Sequence, residues 1–303
     1  MNLNCPNCPT GGGRVIRNGH YFRQSDSRHI QNYYCKVCSK YFSSATFSDC
    51  YRQKKRRINE PLRSLLCKRM CLRDLAKHFS VSRTTIARRL VFLADQSRRR
   101  QQQFLKNYQA QEGPIEKLQF DDLITIEHTK CKPLSVTVVV EEKTRIIVGF
   151  TVAQIPAFGH LAAISRKKYG KRPDHSRAER HKLFSNLAEQ VLQPQVIFRT
   201  DQHKDYPLVL KQHFPDAIHL THKGQRGSVS GQGEMKKVRW DNLFSINQTL
   251  AMLRDKMSRL ARLSWNATKK PENLAHHLAI YIDEHNRQIL KKIEKKRAKK
   301  MAL

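Results

Sequence analysis

The spacing of apolar residues changes character several times along the chain. Through residues 1–48 no regular period holds, and aromatic residues gather around Cys35 and Cys38. Residues 58–98 follow a helical period. Leu72, Leu75, Ala76 and Phe79 recur at three- and four-residue steps, which puts them on one helix face. Ser80-Val81-Ser82 interrupts the pattern, and Ile86, Leu90 and Leu93 resume it. A polar run from Arg98 to Gln103 reads as a linker. From Ile115 the period shortens, and three closely spaced strands are predicted at Leu118–Glu127, Leu134–Val140 and Arg145–Ala153. The middle one is almost continuously β-branched, as a buried strand should be, and the short loops imply an antiparallel meander.

A polar, basic stretch follows from Ser165 to Arg180, with a helix predicted over Ala178–Leu192. A short strand, Val196–Arg199, runs into Asp201. A helical piece covers Tyr206–His213, and another short apolar run ends at His219. A Gly-rich segment, Gly224 to Gly233, precedes a long amphipathic helix predicted from Leu243 to Leu263. A last helix starts after Pro271, a favoured first-turn residue. Lys-rich sequence from Lys291 to Lys300 closes the chain, and no internal repeat is visible.

Charge changes the picture. Lys and Arg number 58 against 25 Asp and Glu in 303 residues, a formal net charge of +33. Small soluble domains usually carry about 2–8. Such an excess attracts polyanions and argues against an ordinary small-metabolite enzyme. Nucleic acid is the expected partner, ahead of an anionic membrane surface. No stretch reaches 18 apolar residues, so no membrane span and no membrane partner are expected, and the first ten residues lack a signal pattern. In a reducing compartment the eight cysteines do not suggest a disulfide framework. Cys50, Cys67, Cys71 and Cys131 are scattered and read as small packing residues.

Three motifs carry chemistry. Cys5-Pro-Asn-Cys8 and Cys35-Lys-Val-Cys38 are two CxxC pairs, each able to present two thiolates to one tetrahedral Zn²⁺. Four sulfurs leave no open position, so this zinc would be structural. The gap between the pairs is long enough to require a hairpin. The second motif is the pair of helices around Ser80–Ser82, which reads as a helix-turn-helix. Ser82 can cap the second helix. Arg83, Thr84, Thr85, Arg88 and Arg89 are left on its outer side, where such side chains meet bases and phosphates of DNA. The third motif is acidic. Asp121 and Asp122 lie in the first of the three strands, where alternation lets only one face a substrate. Asp201 follows a later strand end. Carboxylates converging from two strands can hold Mg²⁺ or Mn²⁺.

Several segments together resemble the bacterial insertion-sequence transposases that carry an N-terminal zinc ribbon, a helix-turn-helix and an RNase H-like DDE domain. They are the Ile30–Phe42 knuckle, Phe120–Lys130, Lys132–Val136, Lys167–Gly170, Thr200-Asp201 with Tyr206-Pro207, Gly231–Lys237, Asn242–Asn247, and Ala251–Arg254 with Arg259-Leu260 leading to Trp265. The resemblance implies a multidomain chain: a zinc ribbon at 1–48, an all-α helix-turn-helix at 58–98, an α/β RNase H-like mixed sheet flanked by helices at 114–290, and a basic tail at 291–303. It implies catalytic Asp121 and Asp201 as magnesium ligands. Asn247 stands where most relatives have a third acid, and Asp241 and Glu234 are the alternatives. Arg254, seven residues after Asn247, would contact element-end DNA. The Gly-rich loop with Lys223 and Arg226, and the basic runs Arg52–Arg57, Arg166–Arg172 and Lys291–Lys300, would add phosphate contacts. His203, His219 and His222 read as structural. The implied partners are double-stranded DNA, both terminal inverted repeats and target, and a second copy of the chain in a dimer or larger assembly. The implied location is the bacterial cytoplasm, at the nucleoid. The implied activity is metal-dependent strand cleavage and strand transfer. An inactive DNA-binding regulator, with Asn247 as the scar, and an RNA-binding zinc-ribbon protein are the competing readings.

Overall fold

The computed structural model describes residues 3–8, 14–190, 195–223, 241–261 and 264–301. The expectations placed on Gly224–Gly233 and on Glu234 fall outside them. The chain divides into two compact units, Met1–Leu62 and Arg63–Leu303.

The first unit is built on a three-stranded antiparallel sheet. Strand β1 (Val15–Arg23) pairs with β2 (Arg28–Cys35), and β2 with β3 (Tyr41–Ser43). The β1–β2 hairpin fills the long gap between the CxxC pairs, as the spacing required. Around the cysteines lies a small buried cluster, Cys5, Cys35 and Phe42, with Tyr33 stacked on Phe42; Ile30, Ala45 and Ile58 are also buried in this unit. A first helix, α1 (Asn59–Leu66), spans the division between the units.

In the second unit α2 (Leu72–His78) and α3 (Arg83–Glu112) form the expected helix pair. Of the residues the periodicity indicated, Leu75, Ala76, Ile86, Leu90 and Leu93 are buried at this packing, and Leu72 and Phe79 are half-buried. The Ser82 hydroxyl accepts from the Thr85 N–H at 3.1 Å and starts α3. The segment Arg98–Gln103, read as a linker, is instead the middle of α3, which runs unbroken for 30 residues. Gln and Arg are good helix formers. Leu105 and Tyr108 beyond them are buried, so tertiary packing carries the helix on.

A five-stranded mixed sheet follows. Its strands are β4 (Lys117–Glu127), β5 (Thr129–Glu141), β6 (Ile147–Gln154), β7 (Ile197–Thr200) and β8 (Ile218–Thr221), in the order β6-β5-β4-β7-β8. The pairs β4–β5 and β5–β6 are antiparallel, and β4–β7 and β7–β8 are parallel. The meander is the one expected. Helices α4 (Leu161–Tyr169), α5 (Ser176–Gln190), α6 (Tyr206–His213), α7 (Phe244–Lys256) and α8 (Pro271–Met301) flank it. One face buries Leu118, Phe120 and Phe198 against Phe184 of α5 and Val209 of α6. The other buries Leu123, Val136 and Val138 against Ile246 and Leu250 of α7 and Leu278 of α8.

Three element boundaries differ from the sequence reading. The stretch Ser165–Arg180 contains most of α4 and the first turn of α5, because Ser165 and Arg180 are buried rather than solvated. Helix α7 stops at Lys256, where Met257 turns extended and is fully buried. The Lys-rich end, expected as a tail, continues α8 as far as Met301. Lys, Arg and Ala tolerate a helix well, so charge alone does not end one.

Candidate active site and metal centre

The four cysteines of the first unit meet. Cys5 Sγ lies 3.6 Å from Cys38 Sγ, and Cys8 Sγ lies 3.7 Å from Cys35 Sγ. All four sulfurs fall within 4.8 Å of one another. A tetrahedron with metal–sulfur bonds of about 2.3 Å has edges of about 3.8 Å, so the spacing fits one zinc-sized ion. Backbone N–H groups of Cys38 and Val37 hold the Cys35 thiol down to about 7, toward the thiolate a metal takes. Among the described residues, no other group of three or more His, Cys, Asp and Glu side chains is close enough to share an ion.

In the second unit, parallel pairing aligns β4 and β7 at a constant offset: Lys117 with Ile197, Leu118 with Phe198, Gln119 with Arg199. Two residues further, the same offset sets Asp121 beside Asp201, which has just left the end of β7. Asp121 is pushed up to about 7, first by burial and then by the Asp201 carboxylate. Two like charges on neighbouring strands, with little water between, account for that shift.

Asp122 takes the opposite surroundings. Its carboxylate pairs with the guanidinium of fully buried Arg180 at 2.7 Å and accepts from the Thr137 hydroxyl. Strand alternation thus separates the two acids: Asp122 is neutralised on one face, and Asp121 faces the other with no cation against it among the described residues. Tyr206 closes this corner. Its ring packs on Phe120 at 4.6 Å, and burial, with the Asp122 and Asp121 charges, raises its ionisation far above the usual phenol range. The hydroxyl therefore stays a donor.

Asp201 is held by its backbone and its neighbours. The His203 N–H donates to its carboxylate at 3.1 Å. The Thr200 hydroxyl donates to the Asp201 carbonyl at 2.7 Å, and a hydroxyl has one proton to give. The His219 Nε2 at 2.8 Å therefore donates to Thr200, and burial keeps this ring neutral by lowering its ionisation. His222 bonds the Thr200 carbonyl through its N–H and accepts from Asn242 Nδ2 at 3.1 Å.

The candidates for a third ligand sit at the start of α7. Asn247 donates from Nδ2 to Asp241 at 3.0 Å, and Asp241 also accepts from the Leu243 N–H. Gln119 of β4 fastens this helix start to the sheet, donating to the Asn242 carbonyl at 2.9 Å and accepting from the Ile246 N–H at 3.1 Å. Asp241 does not join Asp121 and Asp201 in a shared group. Arg254 lies two turns beyond Asn247 and lines a cavity of about 420 Å³ with Asp122, Phe158 and Arg259. On α3, Arg83, Thr84 and Arg88 are exposed, and Thr85 and Arg89 are half-buried.

Arg180, Tyr206 and Gln119 were not singled out as individual site residues in the sequence. Tyr206 could have been, because it follows Asp201 by five residues. Arg180 and Gln119 gave no signal, since their partners lie 58 and 127 residues away.

No protein-family model and no curated protein matches the chain. Among solved structures it is similar to the Mos1 strand transfer complex, at 13% identity over 77% of each chain with a TM-score of 0.24. It is also similar to a pre-cleavage Mos1 transpososome, at 11% identity over 77% of this chain and 78% of that one, with a TM-score of 0.21. Likenesses this distant leave the reading of the site to its own geometry.

Proposed function

We propose that the chain is a DNA transposase of the insertion-sequence type, with a zinc ribbon, a helix-turn-helix and an RNase H-like catalytic domain. One observation carries the reading. The constant offset of the parallel β4–β7 pair carries Asp121 to the level of Asp201, just past the end of β7; the Asp201 carboxylate adds to the burial that raises Asp121, and among the described residues no cation stands against Asp121. Asp122, one residue away, has its cation in Arg180. Oxygen donors of this kind suit Mg²⁺ or Mn²⁺. Bound there, such an ion would stabilise charge on a phosphodiester and activate an attacking oxygen.

The chain's own residues do the rest. Asp121 and Asp201 hold the ion, with the Asn247 amide oxygen as the third ligand. The Asp122 N–H holds the Asp121 carboxylate, the His203 N–H holds that of Asp201, and the Thr200–His219 pair fixes the Asp201 backbone. Gln119 sets the start of α7 against the strand that bears Asp121. Arg83, Thr84, Thr85, Arg88 and Arg89 meet the terminal inverted repeats, and Arg254 meets the element end near the cut. Cleavage and strand transfer are both phosphoryl transfers, which depend chiefly on positioning and on neutralising charge. Joining two element ends calls for a dimer or larger assembly working on target DNA, in the bacterial cytoplasm at the nucleoid.

The test is nicking of labelled DNA from the flanks of the gene, with Mg²⁺ or Mn²⁺, by the full chain and by Asp121→Asn and Asp201→Asn. Each substitution is expected to lower the rate by at least about 100-fold while DNA binding persists. Binding without nicking by the unaltered chain under either metal would instead make it a DNA-binding regulator.

A further inference from the structure

A second cavity, of about 510 Å³, opens between the start of α2 and α3 and the segment that follows α7. Arg69, Arg73, Arg83, Arg259 and Lys269 line it, and Asp74 is the one carboxylate among the lining residues. Asp74 is exposed and accepts from the Cys71 thiol at 3.0 Å. Five cations therefore converge with a single counter-charge. Arg259 matters most, because it lies deepest. It reaches the Thr268 hydroxyl at 3.4 Å, a long contact that brings no charge. Burial pulls its ionisation below the usual guanidinium range. His277, on the cavity floor, is fully buried, and burial together with the Arg259 charge pushes it down to about 4. Five basic side chains thus line the cavity against the one carboxylate of Asp74.

The backbone holds the cavity open. Arg69 sits at φ 62°, a left-handed conformation that strains an arginine, and its N–H donates to the Lys256 carbonyl at 2.7 Å. That bond ties the turn before α2 to the end of α7. At the rim stands Trp265, 75% exposed, a large aromatic surface with nothing covering it. Cations around a hollow with an exposed indole at its edge suit a nucleic-acid backbone, phosphate on the guanidinium groups and sugar against the ring.

We propose that this cleft grips one stretch of duplex DNA backbone, with a phosphate on Arg259 and Arg69 and Trp265 packed against the adjacent nucleotide. Duplex is the form because Arg83 belongs both to the cleft and to the first turn of the helix proposed to read DNA. The grip rests on that reading, and it makes one continuous track from α3 to the end of α7, so that DNA held by the helix pair is also held beside the catalytic unit. These contacts give affinity and register, with no choice of sequence.

The experiment measures binding, so it is independent of nicking. Duplex affinity is titrated against salt for the full chain, Arg259→Gln, Arg69→Gln and the double variant, with Arg88→Gln as a comparison. Each lost phosphate contact should lower the salt slope by about 1 on any DNA sequence. A second readout serves if a variant fails to fold. In a Trp240→Phe chain, Trp265 is the sole tryptophan. Its fluorescence should be quenched by duplex DNA and restored by salt, while inorganic phosphate at equal charge has little effect. Salt slopes unchanged in the cleft variants but lowered in Arg88→Gln would overturn the grip. So would quenching by inorganic phosphate and not by DNA, which would leave a small-anion site. A chain with the expected slopes that never nicks would keep the cleft and lose the nuclease.

Discussion

His277 shows how a single side chain carries the charge of its surroundings. Its Nε2 donates to the Leu66 carbonyl at 2.9 Å, and burial, together with the nearby Arg259 charge, keeps it neutral in the folded chain down to about 4. In the unfolded chain it takes a proton near 6.5. Between those values the unfolded state binds more protons, so stability falls as pH falls from 6.5 toward 4. The neutral buried ring contributes fully above that window, and up to about 3 kcal/mol is lost below it. His277→Gln keeps a donor for Leu66 and cannot be protonated. Its urea midpoint should drop less than that of the unaltered chain between pH 7 and pH 5. Equal drops in the two would show that other groups set the acid limb. The sequence offered no sign of this residue. It did offer the pair Asp121-Asp122, and alternation told that one must face away, but the choice between them depends on Arg180, which only folding brings near.

At the level of elements, the meander and the helix pair were legible because period and side-chain type agree there. The helix Arg83–Glu112 was misread in its middle because polar residues mark both linkers and solvated helix faces, and burial of Leu105 and Tyr108 by distant elements decided the matter. Strand β6 shows a further dependence on its partner. A Cβ built on Gly149 would lie 2.8 Å from a methyl of Leu183 and 3.2 Å from one of Leu187, both on α5. Gly149→Ala should force that helix to shift and cost about 1–3 kcal/mol, read as a lower denaturant midpoint. An unchanged midpoint would mean that the two leucines rotate aside freely.

For the whole molecule, the two compact units depend on different sources of stability. The second buries apolar residues on both faces of its sheet and at its helix pair. The first has three buried apolar residues in its cluster, two of them cysteines from the metal group. With few buried apolar residues in a unit of about 60, a metal on the four sulfurs would supply stability that apolar burial does not. Chelation should therefore release one zinc per chain and expose residues 1–62 to protease while the second unit resists. Intact protection of both units after complete metal removal would overturn this. The two CxxC pairs made the centre readable from the sequence, since metal ligation needs only local spacing and a hairpin. The in-register acids were harder, because a parallel register across 80 residues leaves no trace in either strand alone.

Helix α3 runs about 45 Å at 1.5 Å per residue, from the residues proposed to touch DNA to the edge of the sheet. Such a rod turns chain length into angle. Each residue added or removed along it swings its first turn by about 100° relative to the sheet and moves it by 1.5 Å. A change of one residue would point Thr84 and Arg88 well away from their former bearing, whereas a change of seven would restore the bearing to within about 20° and shift it by roughly two turns. The distance from recognised sequence to cut bond is in this way written into the chain as a torsional phase, and copies of the chain that differ in the length of this rod would be matched to DNA ends of different geometry.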